Sequence, residues 1–139
     1  MALLGWDKML IGAHVSTAGG LPKAIERGVE TDSDAIQIFN QSSRAWRLQV
    51  RGDKEVAEFR AAMDASRVEA IVIHAVYLIN AASLDDEIRG KSIAALADAL
   101  QLGDRIGATG VVLHPGAQKG EPYEDCMQAV GEAVRAPPM

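Results

Sequence analysis

Cysteine is almost missing from this chain. Cys126 is the only one among 139 residues, so no internal disulfide can form and a cross-linked scaffold is excluded. The first residues, Met1-Ala-Leu-Leu-Gly-Trp-Asp7, have neither a basic leading segment nor an apolar run of export length, so no secretory leader is expected. No apolar stretch approaches the roughly 20 residues of a membrane span. A reducing cytoplasm is the expected location. Glycine-rich phosphate signatures are absent too, since Gly19-Gly20 stands without a GxGxxG or P-loop pattern around it. Positive charge is scarce: Lys and Arg number 14 against 19 Asp and Glu, a formal net charge of −5. That balance argues against a general nucleic-acid binder, whose surface is usually basic, while leaving room for a basic patch on one face.

What is there is apolar and alternating. With 48% of its residues hydrophobic, the chain can bury one core and is too short for two ordinary domains, so residues 1–139 are read as one unit. Met9 to Val15 is the first expected strand. Pro22 sits in the first turn of a helix, where its missing N–H costs nothing, and Leu21, Ile25 and Val29 form the apolar face. Ala35 to Phe39 is the second strand, followed by a polar loop from Asn40 to Gly52. Asp53 is the expected N-cap of a second helix with Val56, Phe59 and Met63 on its inner side. Ala70 to Ile73 is a third strand, β-branched and without alternation, the pattern of a strand covered on both faces. Ser83-Leu-Asp-Asp86 has the form of a capping box, with Glu87 in the same turn. It opens a long helix with Ile88, Ala95, Ala99 and Ile106 inside and Asp98, Gln101 and Asp104 outside. Gly110 to His114 is the fourth strand. Pro122 opens the last helix, along which Tyr123, Met127, Val130 and Val134 share one side.

Strand and helix thus alternate four times, which means parallel strands joined by right-handed crossovers. Each strand ends in a polar or special residue: His14 before Ser16, then Asn40, His74 and His114. In a barrel these ends line one rim in sequence order, the rim where such folds collect their chemistry, whereas in an open sheet they need not converge. The expected fold is therefore α/β, half of a (β/α)8 TIM barrel. Four units leave the circle unclosed, and a truncated chain is the simplest explanation.

Two segments on that rim carry chemistry. His74 and His114 both follow a short buried run, and imidazoles on adjacent strands about 4.8 Å apart can reach one zinc ion. A lone buried histidine is more often satisfied by a neighbour, and a stable site needs further ligands. The loop from Gln41 to Gly52 holds Arg44, Arg47, Arg51 and Trp46 and no acid. It reads either as a solvated loop with its tryptophan packed down or as a patch for phosphates. Tyr77-Leu78, just past His74, reads either as packing under that loop or as a wedge able to enter a base stack.

The residues Ile-Gly-Ala-His14-Val-Ser-Thr-Ala-Gly-Gly20, Ala-Ile-Gln-Ile-Phe-Asn-Gln41 with Arg44 and Trp46, His74 with Tyr77-Leu-Ile-Asn80, and Leu-His114-Pro-Gly116 resemble the endonuclease IV (deoxyribonuclease IV) family of apurinic/apyrimidinic endonucleases. The blocks stand in family order and span nearly the whole chain. The resemblance implies a TIM barrel with three zinc ions that cuts duplex DNA on the 5′ side of an abasic site and leaves a 3′-hydroxyl. It implies that His74 and His114 are two zinc ligands sharing one ion, and that Arg44, Tyr77 and Leu78 penetrate the DNA at the lesion. No catalytic residue beyond the metal ligands is assigned. Ala117 and Ser43 depart from the serine and proline common in the family. Ligands expected on later strands have no counterpart here, so at most one partial zinc site is expected and the isolated chain should be inactive. Two other readings stand beside this one. A sugar isomerase or epimerase barrel would also place metal ligands at strand ends, and a half barrel could serve as a non-catalytic assembly module. Unpaired strand edges and inner side chains among Ile11, Ile36, Ile38, Val72 and Val112 make self-association an expectation in either case.

Overall fold

The computed structural model describes residues 9–136. Four strands, β1 (Gly12–His14), β2 (Ala35–Phe39), β3 (Ala70–His74) and β4 (Gly110–Val112), alternate with α1 (Pro22–Glu30), α2 (Asp53–Asp64), α3 (Asp86–Ile106) and α4 (Tyr123–Arg135). The strands form one parallel sheet in the order β1-β2-β3-β4. β2 and β3 run as long as their apolar stretches because each has a neighbour on both sides. β1 and β4 are shorter than expected, since each is an edge with one partner to hold it. Beyond Val112 the chain leaves the ladder, so His114 lies past the strand rather than in it.

The strands are continuously apolar in sequence yet alternate in burial. Ile36, Ile38, Ile71 and Ile73 are at most 2% exposed, while Ala35, Gln37, Phe39, Ala70 and Val72 between them are only half-buried. The isoleucines face the helices, where they meet Leu21, Ile25, Phe59, Ala99 and Ile106 in the main core. The opposite face carries Gln37, Phe39, Val72 and His74, and no second layer covers it among the described residues. Of the inner side chains expected to lack cover, Val72 and Val112 stand on that open face. Ile36 and Ile38 do not.

Helix packing follows small residues as much as large ones. Gly28 lets α1 approach the sheet so closely that a Cβ there would lie 2.6 Å from Ile36 Cγ2. Ala24, Ile25 and Gly28 form its buried stripe, and Val29, expected inside, is 43% exposed. On α2 the expected face holds, with Val56 and Phe59 buried and Met63 packed against the core. On α4 it does not. Cys126, Ala129 and Ala133 are buried while Tyr123, Met127 and Val134 are 60%, 49% and 55% exposed, because small side chains bring α4 close to α3 and the large ones point away.

Caps also differ from the sequence reading. Gly52, not Asp53, is the N-cap of α2, and Asp53 instead accepts from Arg105 Nη2 at 2.8 Å. The cap of α3 is Asp85, whose carboxylate accepts from Ile88 N at 2.9 Å; Ser83 Oγ accepts from Asp85 N one step earlier. An aspartate at this position satisfies an orphan N–H and meets the positive end of the helix with its charge.

Candidate metal centre

The register explains why the rim residues meet. Phe39 pairs with His74 and His74 with Val112, so side chains of equal parity on neighbouring strands stand together on the open face. Phe39 is the hub: its ring centroid lies 4.6 Å from that of His14, 5.4 Å from His74 and 5.3 Å from Tyr77. His114, two residues past Val112, folds back so that its ring centroid is 5.1 Å from that of His74. The two Nε2 atoms are 3.2 Å apart.

His74 is 7% exposed, and its Nδ1 is 2.7 Å from the carbonyl oxygen of Ala75. A carbonyl only accepts, so that hydrogen bond assigns the proton to Nδ1 and leaves the lone pair on Nε2. A metal-binding histidine ordinarily fixes its ring in this way, by donating its other N–H to a backbone carbonyl. Two nitrogens bound to one zinc at about 2.05 Å and a tetrahedral angle stand about 3.3 Å apart. The residues present therefore fit half of a zinc site. Among the described residues no group of three or more His, Cys, Asp and Glu side chains converges on one point, so the pair needs further donors for a closed site.

His14 completes the row of rings without joining the pair. Gln37 Nε2 donates to its Nδ1 at 2.9 Å. Burial, and then the electrostatic effect of the neighbouring His74, hold its pKa below the ordinary 6.5. The folded state therefore binds fewer protons than the unfolded chain: the contribution to stability is full above the unfolded value near 6.5 and is lost as pH falls toward the lowered one. Urea midpoints measured from pH 7.5 down to 5 should fall, and His14→Gln should remove part of that fall. An unchanged acid limb in the variant would assign the effect to other groups.

The loop from residue 40 to 52 is held at both ends by buried polar contacts and in the middle by Trp46. Asn40, 1% exposed, donates through Nδ2 to Asp98 Oδ2 at 2.7 Å, so Asp98 faces the rim loop rather than solvent as its helical position suggested. Arg51, expected as a phosphate contact, is 6% exposed and ion-paired with Glu55 at 3.0 Å. The same Glu55 oxygen accepts from Leu21 N at 2.8 Å, placing a carboxylate at the start of α1. The Gly19-Gly20 turn thus meets an internal anion. Trp46 and Leu78 pack against a small cluster of Ala75, Val76, Ile79, Ala95 and Leu96. Arg44 and Arg47 are exposed, and Tyr77 is 67% exposed although its edge touches Phe39 and His74. A cleft of about 790 Å³ runs between the residues after β1 and this loop, with Arg44 at its lip.

His74 and His114 are thus together, Tyr77 is beside them and exposed, Leu78 is half-buried, and Arg44 lines a cleft with His14 and Phe39 rather than with the pair. Phe39 and Asn80 were not singled out as site residues. Strand parity would have found Phe39, which shares a face with His74. Asn80, 8% exposed, bonds a loop 37 positions away, and no local pattern signals that.

Four parallel βα units with a histidine pair where β3 and β4 end define one half of a (β/α)8 barrel. The chain belongs to the xylose isomerase-like TIM barrel family, whose pattern matches residues 25–136. It is 36% identical over 124 residues to a probable endonuclease 4 of Citrifermentans bemidjiense, a match covering 89% of this chain and 44% of that protein. The crystal structure of endonuclease IV from Thermus thermophilus superimposes with a TM-score of 0.79 at 36% identity, over 91% of this chain and 46% of that one. A 3-keto-D-glucoside 4-epimerase from E. coli gives a TM-score of 0.65 at 15% identity, over 92% and 50% of the two chains, a likeness of fold alone. The resemblance to endonuclease IV and the partial-barrel fold are both borne out. The chain spans less than half the length of the curated relatives it matches.

Proposed function

We propose that residues 1–139 form the N-terminal half of a DNA-repair endonuclease domain. The complete protein hydrolyses the phosphodiester on the 5′ side of abasic sites in duplex DNA, leaves a 3′-hydroxyl, and does so in the cytoplasm with a cluster of three zinc ions. The single observation that carries this reading is the histidine pair, with its Nε2 atoms 3.2 Å apart and the His74 tautomer set by Ala75. Zinc bound there supplies Lewis-acid stabilisation of phosphate charge and acidifies water. The chain's own residues do the rest on this side of the barrel. His74 and His114 hold one ion through Nε2. Phe39 presses on His74 and Tyr77 and keeps both upright on the rim. Arg44 reaches the DNA backbone from the lip of the cleft, Tyr77 enters the duplex at the lesion, and Leu78 supports it from the cluster below.

The sugar-epimerase alternative rests on fold alone. Its likeness is 15% in sequence, and a pocket for a small sugar gives no account of an exposed arginine loop beside an exposed tyrosine. No helix among the described residues is long and apolar enough to cross a membrane. The isolated chain, holding two ligands and two open strand edges, should self-associate and should not incise DNA. Assaying the full-length protein and the 139-residue chain on an abasic duplex and on a ketose tests the reading. Zinc-dependent incision by the former alone is expected, and ketose turnover without incision would replace it with the epimerase. In the full-length protein, Arg44→Ala should weaken binding of the abasic duplex and reduce the slope of log affinity against log salt by about one, the signature of one lost phosphate contact. An unchanged slope would remove Arg44 from the interface.

A further inference from the structure

We infer that Asn80 is a positioning residue that sets the place of His114 against His74, an inference that rests on the metal pair proposed above. His114 lies outside the strand ladder, which ends at Val112, and is exposed, so neither pairing nor burial fixes it. The segment after it is held by one side chain and one backbone bond. Asn80 Oδ1 accepts from Ala117 N at 3.1 Å, and Asn80 Nδ2 donates to Ala117 O at 3.1 Å, an amide-to-backbone clamp that uses both ends of the side chain. Pro115 O also accepts from Ala82 N at 3.2 Å, so the turn after His114 is tied twice to the turn after β3.

The clamp itself is anchored. Asn80 is 8% exposed, and its backbone N–H donates to Ser92 Oγ at 3.0 Å. Ser92 is 1% exposed and donates in turn to Ile88 O at 2.7 Å on α3. Gly116 takes a left-handed φ of +115°, and a Cβ there would overlap Asn80 Oδ1. Glycine at that position is what lets the amide lie flat against the turn. The connection runs His74, the turn from Ala75 to Ala82, Asn80, Ala117 and back to His114. The loop bearing one imidazole thus carries the device that docks the other. Isolated histidines at two strand ends would sample many separations; the clamp selects the one at 3.2 Å.

Support of this kind is worth roughly 10–100-fold in metal affinity. The test is zinc titration of the full chain by calorimetry, with cobalt replacing zinc in parallel so that visible absorption reports the geometry of the bound ion. Asn80→Ala should weaken zinc by about 10–100-fold and alter the cobalt spectrum. The same change in a His114→Ala background should have no further effect, because Asn80 acts through His114. Asn80→Asp keeps the acceptor for Ala117 N but sets a carboxylate oxygen against Ala117 O in place of the donor, so it also breaks the clamp, serves where Asn80→Ala fails to fold, and should show the same dependence on His114. Equal affinity with and without Asn80 overturns the inference and leaves the metal pair standing. Equal weakening in both backgrounds overturns it as well, by reducing Asn80 to a contributor to stability. Absence of zinc uptake by the unmutated chain removes the pair, and Asn80's role with it.

Discussion

Replacing His74 and His114 together by alanine should abolish zinc uptake by this chain, and each single replacement should cost more than the roughly 10–100-fold that losing a supporting group costs. The expectation follows from the geometry of the pair. With the Nε2 atoms 3.2 Å apart and the His74 proton on Nδ1, the two rings are close enough to share one ion, and removal of either leaves a lone imidazole with water. The two single variants differ in their side effects. His114 is exposed, so its loss should leave thermal stability nearly unchanged, whereas His74 is 7% exposed and in contact with Phe39 and Tyr77. His74→Ala removes packing as well as a ligand. Calorimetric zinc titration with parallel thermal melts separates the two losses. Undiminished uptake by the double variant would mean that the ligands lie elsewhere on the chain.

Glu55→Ala should destabilise the chain by about 3 kcal/mol, the lower end of what stranding one partner of a buried ion pair costs. Arg51 is 6% exposed, with its Nε lacking a partner and Nη1 held by Glu55 alone. Without the carboxylate, a buried guanidinium keeps only the Gln49 contact at 2.9 Å through Nη2. Leu21 N loses its acceptor in the same step. For a domain whose whole stability is of the order of 5–15 kcal/mol, this is a large fraction. Glu55→Gln keeps an acceptor oxygen for both groups and should cost about 1 kcal/mol, the net worth of a typical hydrogen bond. Urea denaturation of the three proteins gives the values. Equal losses for alanine and glutamine would assign the effect to charge at the helix start rather than to the stranded arginine.

The sequence was most legible where local pattern and tertiary structure agree. β2 and β3 are continuous apolar runs with neighbours on both sides, and β2 ends where it was read, β3 one residue later at His74. The histidine pair was legible because each histidine comes directly after a short apolar stretch. The failures share a physical cause, which is that packing is decided between elements. Tyr123, Met127 and Val134 look like the inner face of α4 by size, but close approach to α3 selects Cys126, Ala129 and Ala133. Asp98 looks like a solvated residue on α3 until Asn40, 58 positions away, arrives to donate to it. Arg51 looks like a phosphate contact until Glu55 takes it. Polar residues in a rim loop can serve the ligand or the scaffold, and only three-dimensional neighbours decide which.

The phase of the sheet sets a rule for building hybrids with other members of the family. His14 lies beside Gln37, two residues below Phe39, which lies beside His74. All four side chains share one face because the residue count along each strand is in step with its neighbours. An insertion of one residue inside β3 would turn His74 toward Phe59 and Ile106 and bring an isoleucine to the rim, and an insertion of two would lift the imidazole about 6.6 Å along the strand. Crossovers should therefore fall outside the strands and also keep the residue count of the last turn before each strand, where Asp34 N already donates to Ile11 O and Thr109 N to Ile71 O. Within a strand, only exchanges that conserve length leave the chemistry on the correct side of the wall.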